Sequence, residues 1–143
     1  EAVVAGVATA LKPGGRFVGE FGGYGNVSKI REASIAALNA RGLDGEAANP
    51  WYFPTPEDYS ALLSEHGFEV TSAVLIPRPT PLPGSMADWI KTLAQDFVAP
   101  VPQEEQDDFL QGIEADLVAD LQDADGNWMA DYVRLRFSAD YKG

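Results

Sequence analysis

Cysteine is absent from this sequence of 143 residues, and histidine occurs only once. The chain therefore has no disulfide framework and no thiolate that could act as a nucleophile, and a single histidine does not give the ligand spacing of a zinc site. No run approaches the roughly 20 apolar residues that a membrane-spanning helix requires. These absences predict a protein without disulfides, metal sites or membrane spans, and we expect it in the cytoplasm.

Positive charge is also scarce. Ten Lys and Arg stand against 22 Asp and Glu, which gives a net charge of −12 at pH 7. Nucleic acids and anionic membrane surfaces are bound mainly through Lys and Arg contacts to phosphate, so either partner would repel this chain. Because 45% of the residues are hydrophobic, the chain can nevertheless bury a core. The composition predicts a single domain over 1–143 that binds neither nucleic acid nor membrane.

Hydrophobic periodicity predicts helices that alternate with three strands. Alternating apolar residues mark strands at 16–21, 68–76 and 130–139, while a period near 3.6 residues marks helices at 1–11, 27–41, 56–66, 86–98 and 104–121. We expect Asn26 and Thr55 to cap the second and third helices. Residues 43–50 are small and polar and predict a loop. The alternation indicates a layered α/β fold.

A glycine-rich turn, Gly22 to Asn26, follows the first strand and precedes a helix, which is the setting of a phosphate-binding loop. The spacing does not fit, because position 28 is serine where a dinucleotide fingerprint needs glycine, and no Gly-Lys-Ser/Thr sequence follows. A turn that lets two backbones approach closely is the alternative interpretation.

Three aromatic residues between two prolines, Trp51 to Phe53, could form a wall for an apolar or planar ligand. They could equally cover the core beneath a long loop. Arg78 lies between Pro77 and Pro79, where its guanidinium could bind a carboxylate in bidentate fashion. The alternative for Arg78 is a surface salt bridge, and for Arg134, Arg136 and His66 we favour a structural role.

The chain resembles class I S-adenosylmethionine-dependent methyltransferases, and within them the small-molecule enzymes similar to trans-aconitate methyltransferase. The resemblance covers nearly the whole chain, and its segments occur in the order LKPGGRFV at 11–18, EFGGYGN at 20–26, PWYFP at 50–54, YSALLSEHGF at 59–68, RPTPL at 78–82 and DYVRLR at 131–136. The LKPGG segment is common to many methyltransferases, whereas PWYFP and DYVRLR point more narrowly to this group.

The resemblance implies the C-terminal half of a Rossmann-like methyltransferase domain, with three strands in a mixed sheet and substrate-side elements over 43–125. The family binds its cofactor at a glycine-rich turn and an acidic strand end that precede the matched region, and no residue here corresponds to either. S-adenosylmethionine is therefore expected in a longer parent protein but not on this chain alone. Tyr24, Trp51, Tyr52 and Arg78 would contact the acceptor, with Arg78 holding a substrate carboxylate.

The function that follows is methyl transfer to a small acceptor by the longer parent, with a carboxylate-bearing molecule as one candidate. The chain alone is expected to be inactive, and an incomplete fold would leave a strand edge exposed. We therefore also expect it to form homo-oligomers, by edge pairing or by exchange of elements. The alternative is a non-catalytic ligand-binding or self-associating module, and a hydrolase ranks below both because no base-bearing constellation is present.

Overall fold

The fold is described by a computed structural model covering residues 1–143. The helices are α1 (Ala2–Ala10), α2 (Ser28–Ala40), α3 (Pro56–Glu65), α4 (Met86–Leu93), α5 (Gln95–Val98) and α6 (Gln106–Leu121), the last preceded by a 3₁₀ turn at Gln103–Glu105. The strands are β1 (Arg16–Gly22), β2 (Phe68–Pro77), β3 (Thr80–Pro81), β4 (Met129–Ala130) and β5 (Val133–Tyr141). None of these helices has the length and apolar character needed to cross a membrane.

Two predicted elements divide in the structure. The helix expected over 86–98, with Trp89, Ile90, Leu93 and Phe97 predicted to form one buried stripe, breaks at Ala94 into α4 and α5. Leu93, at the break, is 54% exposed rather than buried. The strand expected over 130–139 separates into the short β4 and the long β5. The periodicity of apolar residues continues across both breaks. It shows which face of an element is apolar, and it does not show where the backbone hydrogen bonding of that element ends.

The chain divides into two compact units. The sheet unit, as we call it, comprises Glu1–Asn26, Phe53–Arg78 and Val133–Gly143, and the helical unit comprises Val27–Tyr52 and Pro79–Tyr132. This division into units does not test the prediction of a single domain, which stays a prediction.

The sheet unit is built on three strands in the order β1-β5-β2. Both neighbouring pairs are antiparallel, with Glu20 opposite Arg136 and Leu75 opposite Leu135. The mixed sheet that we expected is therefore antiparallel throughout these strands, because the central strand runs opposite to both outer ones. The α/β class is retained, since α1 and α3 belong to the same unit.

The apolar face of this sheet is covered by helices. Val4 from α1 and Leu63 from α3 pack in one cluster with Leu135 and Phe137 of β5. Thr55 caps α3 as predicted, since its hydroxyl accepts a hydrogen bond of 3.1 Å from the backbone N–H of Asp58. The helices thus fix which face of the sheet is buried.

The helical unit has a core of its own. The sequence places Phe109, Ile113, Leu117 and Leu121 at four-residue spacing, and all four are buried in α6 together with Leu110. Helix α6 packs against α2 and α4, whose buried residues include Ile30, Leu38 and Ile90, and Phe97 of α5 is buried in the same unit. The helical period also predicts that Val118 widens this apolar face, but Val118 is 44% exposed. Strands β3 and β4 pair in antiparallel fashion, and the backbone N–H of Leu82 extends the pairing to the carbonyl of Trp128.

Candidate functional site

The glycine-rich turn after β1 is filled by the protein's own side chains. A Cβ on Gly22 would lie 2.7 Å from the Asn26 side chain and from the Phe53 ring, and one on Gly23 would lie 2.5 Å from Leu75. These distances are shorter than van der Waals contact, so only glycine fits at both positions. Close packing is thus the function of the turn that the structure supports, and a phosphate cradle is not.

Asn26 does not cap α2, contrary to the prediction. Its side-chain oxygen accepts a hydrogen bond of 2.8 Å from the backbone N–H of Val133 and so ties the turn to the beginning of β5. Tyr24, by contrast, is 63% exposed at the tip of the same turn. Its backbone N–H donates to the carbonyl of Pro54, which fixes the backbone from which the exposed ring projects.

Three arginines converge on one carboxylate in the sheet unit, and we call this group the Glu20 cluster. Glu20 Oε2 accepts a hydrogen bond of 2.9 Å from Arg136 Nε, while Glu20 Oε1 lies 3.1 Å from Arg78 Nη1 and 3.6 Å from Arg134 Nε. The hydrogen bond from Arg136 lowers the pKa of Glu20, and the three positive charges add to this effect. One negative charge among three positive ones leaves a positive surface.

Arg78 therefore takes part in a surface salt bridge, which is the alternative that the sequence left open. Its side chain is nevertheless 62% exposed beside a positive cluster. A role in binding a substrate carboxylate stays a prediction.

The predicted aromatic wall contains one packed and one exposed ring within the helical unit. Trp51 lies edge-on to Phe97, with ring centroids 5.5 Å apart, and 6.2 Å from Trp89. Tyr52 is 71% exposed. Trp51 thus covers buried apolar residues, whereas only Tyr52 presents most of its ring to the surface.

An open cavity of about 510 Å³ lies in the helical unit, where the proline-rich segment 80–85 faces α4. Its lining includes Leu82, Trp89, Leu93 and Tyr132 together with the carboxylate of Asp88. Trp89 Nε1 donates a hydrogen bond of 2.8 Å to the Tyr132 hydroxyl, which fixes the two rings relative to each other. A volume of this size is typical of small-molecule sites.

Asp131 provides the cap that Asn26 was expected to give. Asp131 Oδ2 accepts a hydrogen bond of 3.0 Å from the backbone N–H of Lys29 and one of 3.4 Å from the Ser28 hydroxyl, at the first turn of α2. The other carboxylate oxygen, Oδ1, is buried without a hydrogen-bond partner. Burial raises the pKa of Asp131 despite these hydrogen bonds.

Val27, directly before α2, adopts the left-handed backbone conformation at φ +46°, which is unusual for a β-branched residue. Its N–H donates to the backbone carbonyl of Asp131. The first turn of α2 is thus held to a residue about one hundred positions later in the chain.

The acidic turn at 123–127 is closed by its own side chain. Asp123 Oδ1 accepts hydrogen bonds of 3.0 Å and 2.8 Å from the N–H groups of Asp125 and Asn127. The side-chain hydrogen bond from Asn127 is the main reason why the pKa of Asp123 is lowered. The spacing of Asp123, Asp125 and Asn127 faintly resembles the beginning of a calcium loop, and these hydrogen bonds show a turn-forming aspartate instead.

The four predicted site residues belong to different units: Tyr24 and Arg78 to the sheet unit, and Trp51 and Tyr52 to the helical unit. Sequence reasoning had assigned Trp89 to a core stripe and had given Tyr132 and Asp131 no chemical role of their own. Trp89 and Tyr132 are 43 residues apart, so no local spacing signals their hydrogen bond.

Comparison with known proteins agrees in part with the resemblance seen in the sequence. Over 140 residues the chain is 39% identical to a curated protein that is named a methyltransferase. That relative is an uncharacterized methyltransferase of Schizosaccharomyces pombe (strain 972 / ATCC 24843). The similar region covers 96% of this chain and 54% of the relative, so the chain spans about half the length of the protein that it matches. No family model matches the chain.

This similarity supports a methyltransferase in general terms. It runs through nearly all of the present chain, so it includes both the Glu20 cluster and the cavity beside Trp89. The name of the relative specifies neither the methyl donor nor the acceptor.

Proposed function

We propose that this chain is part of a methyltransferase that transfers a methyl group from S-adenosylmethionine to a small acceptor. The observation that carries the proposal is the 39% identity to a methyltransferase over 140 residues. The order of the quoted segments supports the trans-aconitate-like, class I assignment as the finer form of the proposal. A cytoplasmic location stays a prediction.

The glycine-rich turn after β1 does not fit S-adenosylmethionine. The glycines of the turn after β1 are occupied by Asn26, Phe53, Leu75 and Leu135, so no space is left there for a cofactor. We therefore derive no step through the cofactor from this chain, and we propose that it is inactive alone.

What this chain would contribute is acceptor binding. The Glu20 cluster offers a positive surface to which a carboxylate-bearing acceptor would be attracted, with Arg78 the most exposed of its arginines. In the same unit Tyr24 presents an exposed ring that could cover an apolar part of such an acceptor. The predictions that Trp51 and Tyr52 contact the acceptor stay predictions. A carboxylate acceptor needs no strong base, so orientation and exclusion of water would be the main contributions.

Two measurements test this proposal. Calorimetric titration of the chain alone with S-adenosylhomocysteine is expected to give no heat beyond dilution, while the longer protein that contains this segment is expected to methylate a small acceptor. Saturable 1:1 binding by the chain alone would contradict the proposal that this chain lacks a cofactor site. Absence of methyl transfer by the longer protein with carboxylate, amine and hydroxyl acceptors would contradict the function.

The role of Arg78 is tested separately in the longer protein. Arg78→Ala is expected to raise KM for a carboxylate acceptor about tenfold, the scale of one charge-assisted contact, and to change kcat little. Arg16→Ala is the matched control, because Arg16 forms a comparable surface pair with Asp140 in the same unit. An equal change in KM for both variants would argue against a specific clamp.

The second candidate function is a self-associating module without catalysis. On the sheet face opposite the apolar cluster, Val18 is 59% and Val74 is 46% exposed. In addition, β1 pairs with a neighbouring strand on one side only. Exposed edges and apolar side chains of this kind favour pairing between copies.

Sedimentation velocity measures this association. The chain is expected to form homo-oligomers, and Val18→Lys is expected to shift them towards monomer because a lysine blunts an exposed strand edge. Val118→Lys serves as the matched control on α6, where valine is 44% exposed. A monodisperse monomer at high concentration would exclude this function.

A further inference from the structure

The cavity of the helical unit combines aromatic walls with a single carboxylate. Trp89 and Tyr132 supply the rings, with centroids 6.3 Å apart, and Leu82 and Leu93 add aliphatic surface. Because the Trp89 indole N–H is already directed to the Tyr132 hydroxyl, the position of the indole ring is fixed before any ligand arrives. A preorganised ring loses little freedom on binding.

Asp88 gives this cavity its charge. It lies in the first turn of α4, where its own backbone N–H donates to the Ser85 hydroxyl, and its carboxylate forms no ion pair. Lys91, three residues further along α4, is directed instead to Asp107 at 3.5 Å. Asp88 lines the cavity, with its Oδ2 3.7 Å from the position that a Cβ on the neighbouring lining residue Gly84 would take, and no positive side chain is paired with it.

The surroundings of the cavity reinforce this negative charge. The helical unit contains four Lys and Arg against fifteen Asp and Glu, a net charge of −11. All four of its cations are already paired with carboxylates of the same unit, in the pairs Lys29–Asp120, Arg31–Glu46, Arg41–Asp108 and Lys91–Asp107. An anionic ligand would thus meet repulsion here, whereas a cation would be attracted.

We propose that this cavity binds a small molecule with an apolar or aromatic body and a cationic amine group. The body would lie against Trp89, Leu82 and Leu93, and the ammonium would be placed between the carboxylate of Asp88 and the aromatic faces. The carboxylate outweighs the partial positive charge at the beginning of α4, which by itself would repel a cation. This binding site is independent of the proposed methyl transfer, because it depends on helical-unit residues alone.

Three probes that share a phenylethyl body and differ in their terminal group separate charge from apolar contact: phenethylamine, 2-phenylethanol and 3-phenylpropionate. The chain is titrated with each while the tryptophan indole N–H signals are followed by NMR, and Trp89→Phe identifies the Trp89 signal. We expect the amine to shift this signal saturably and to bind about fivefold tighter than the alcohol, the scale of one exposed charge pair. The carboxylate is expected to bind weakest.

Asp88→Asn is expected to abolish the preference for the amine over the alcohol, and Asp88→Glu to retain it. Asp96→Asn is the matched control, because Asp96 lies in the first turn of α5 in the same unit but outside the cavity. Equal losses in Asp88→Asn and Asp96→Asn would overturn the proposal, and so would a carboxylate probe that binds as tightly as the amine. Absence of any shift at Trp89 would overturn it as well. No methyl transfer is measured, so these outcomes do not depend on the proposed function.

Discussion

The sheet unit and the helical unit differ sharply in charge. The sheet unit carries six Lys and Arg against seven Asp and Glu, whereas the helical unit carries four against fifteen. Nearly all of the net charge of −12 therefore resides in the helical unit. The net negative charge would therefore repel an anionic partner from the helical unit. It would not do so at the Glu20 cluster, where three arginines surround one glutamate.

The two units also place their aromatic residues differently. In the sheet unit Phe137 packs in edge contacts with Phe17 and Tyr59, with centroids 4.8 Å and 5.0 Å away. In the helical unit Trp89 and Tyr132 line an open cavity instead. Phe137 thus packs the core of its unit, whereas Trp89 and Tyr132 form part of a ligand-sized surface, which leads to different expectations for mutations.

The largest expected effect comes from Phe137→Ala. Phe137 is 2% exposed, so removing its ring is expected to lower the free energy of unfolding by about 3–5 kcal/mol. Leu93→Ala is the contrasting change at the cavity rim, where the side chain is 54% exposed, and it is expected to alter stability by less than about 0.5 kcal/mol. Chemical denaturation measures both, and similar losses would remove the distinction between the packed and the open aromatic regions.

A smaller but opposite pair of effects is expected at two glycines. Gly23→Ala would place a Cβ 2.7 Å from Leu135 Cβ and is expected to destabilise the chain by about 1–3 kcal/mol. Gly112→Ala, in α6, meets no atom within 4 Å and is expected to stabilise it by about 0.5–1 kcal/mol. The midpoint of thermal unfolding is therefore expected to fall for Gly23→Ala and to rise for Gly112→Ala. An unchanged midpoint for Gly23→Ala would show that the turn after β1 has space for a methyl group, contrary to the close packing.

The same glycines show how far the sequence could be interpreted. Alternation and periodicity located β1, β2, α3 and α6 because each buries one face, a property written locally in the residue order. Thr55 was recognised as a cap for the same reason, since a side chain that bonds three residues ahead needs no distant partner. Whether Gly23 held a ligand or the protein's own side chains depended on Leu75 and Leu135, which are remote in sequence.

The remaining site features were not predictable because they join distant positions. Asp131 caps α2 across about one hundred residues, so local capping rules favoured Asn26. The Trp89 hydrogen bond to Tyr132 and the convergence of three arginines on Glu20 likewise arise from the pairing of remote segments. In each case the sequence supplied the residue type, and the fold supplied its partner.

Asp131 allows a pH-dependent test in the helical unit. Its pKa is raised in the folded chain. As pH rises through the ordinary carboxyl range, the folded chain therefore keeps this proton when the unfolded chain has lost it. The free energy of unfolding falls as a result, and at neutral pH the ionised carboxylate reduces stability. Asp131→Asn keeps an oxygen for the Lys29 N–H and is expected to gain on the parent chain as pH rises, by about 1 kcal/mol or less, the scale of a helix cap. Unfolding curves between acid and neutral pH measure the difference, and a difference that shrinks with rising pH would refute the buried-charge argument.

Glu20 gives the opposite dependence in the sheet unit, because its pKa is lowered, chiefly by the hydrogen bond from Arg136. Its stabilising contribution is present above the ordinary carboxyl pKa and is lost as pH falls through the lowered pKa of the folded chain. Glu20→Gln leaves three guanidinium groups without their shared anion, so it is expected to destabilise the chain slightly at neutral pH and less so in high salt, since screening weakens repulsion between exposed charges. Glu69→Gln, which removes a single exposed pair with Lys142, is the matched control and should have a smaller effect. If salt changes the stability of both variants equally, the contacts of Glu20 act as isolated surface pairs. The positive surface proposed to attract a carboxylate acceptor would then lose its support.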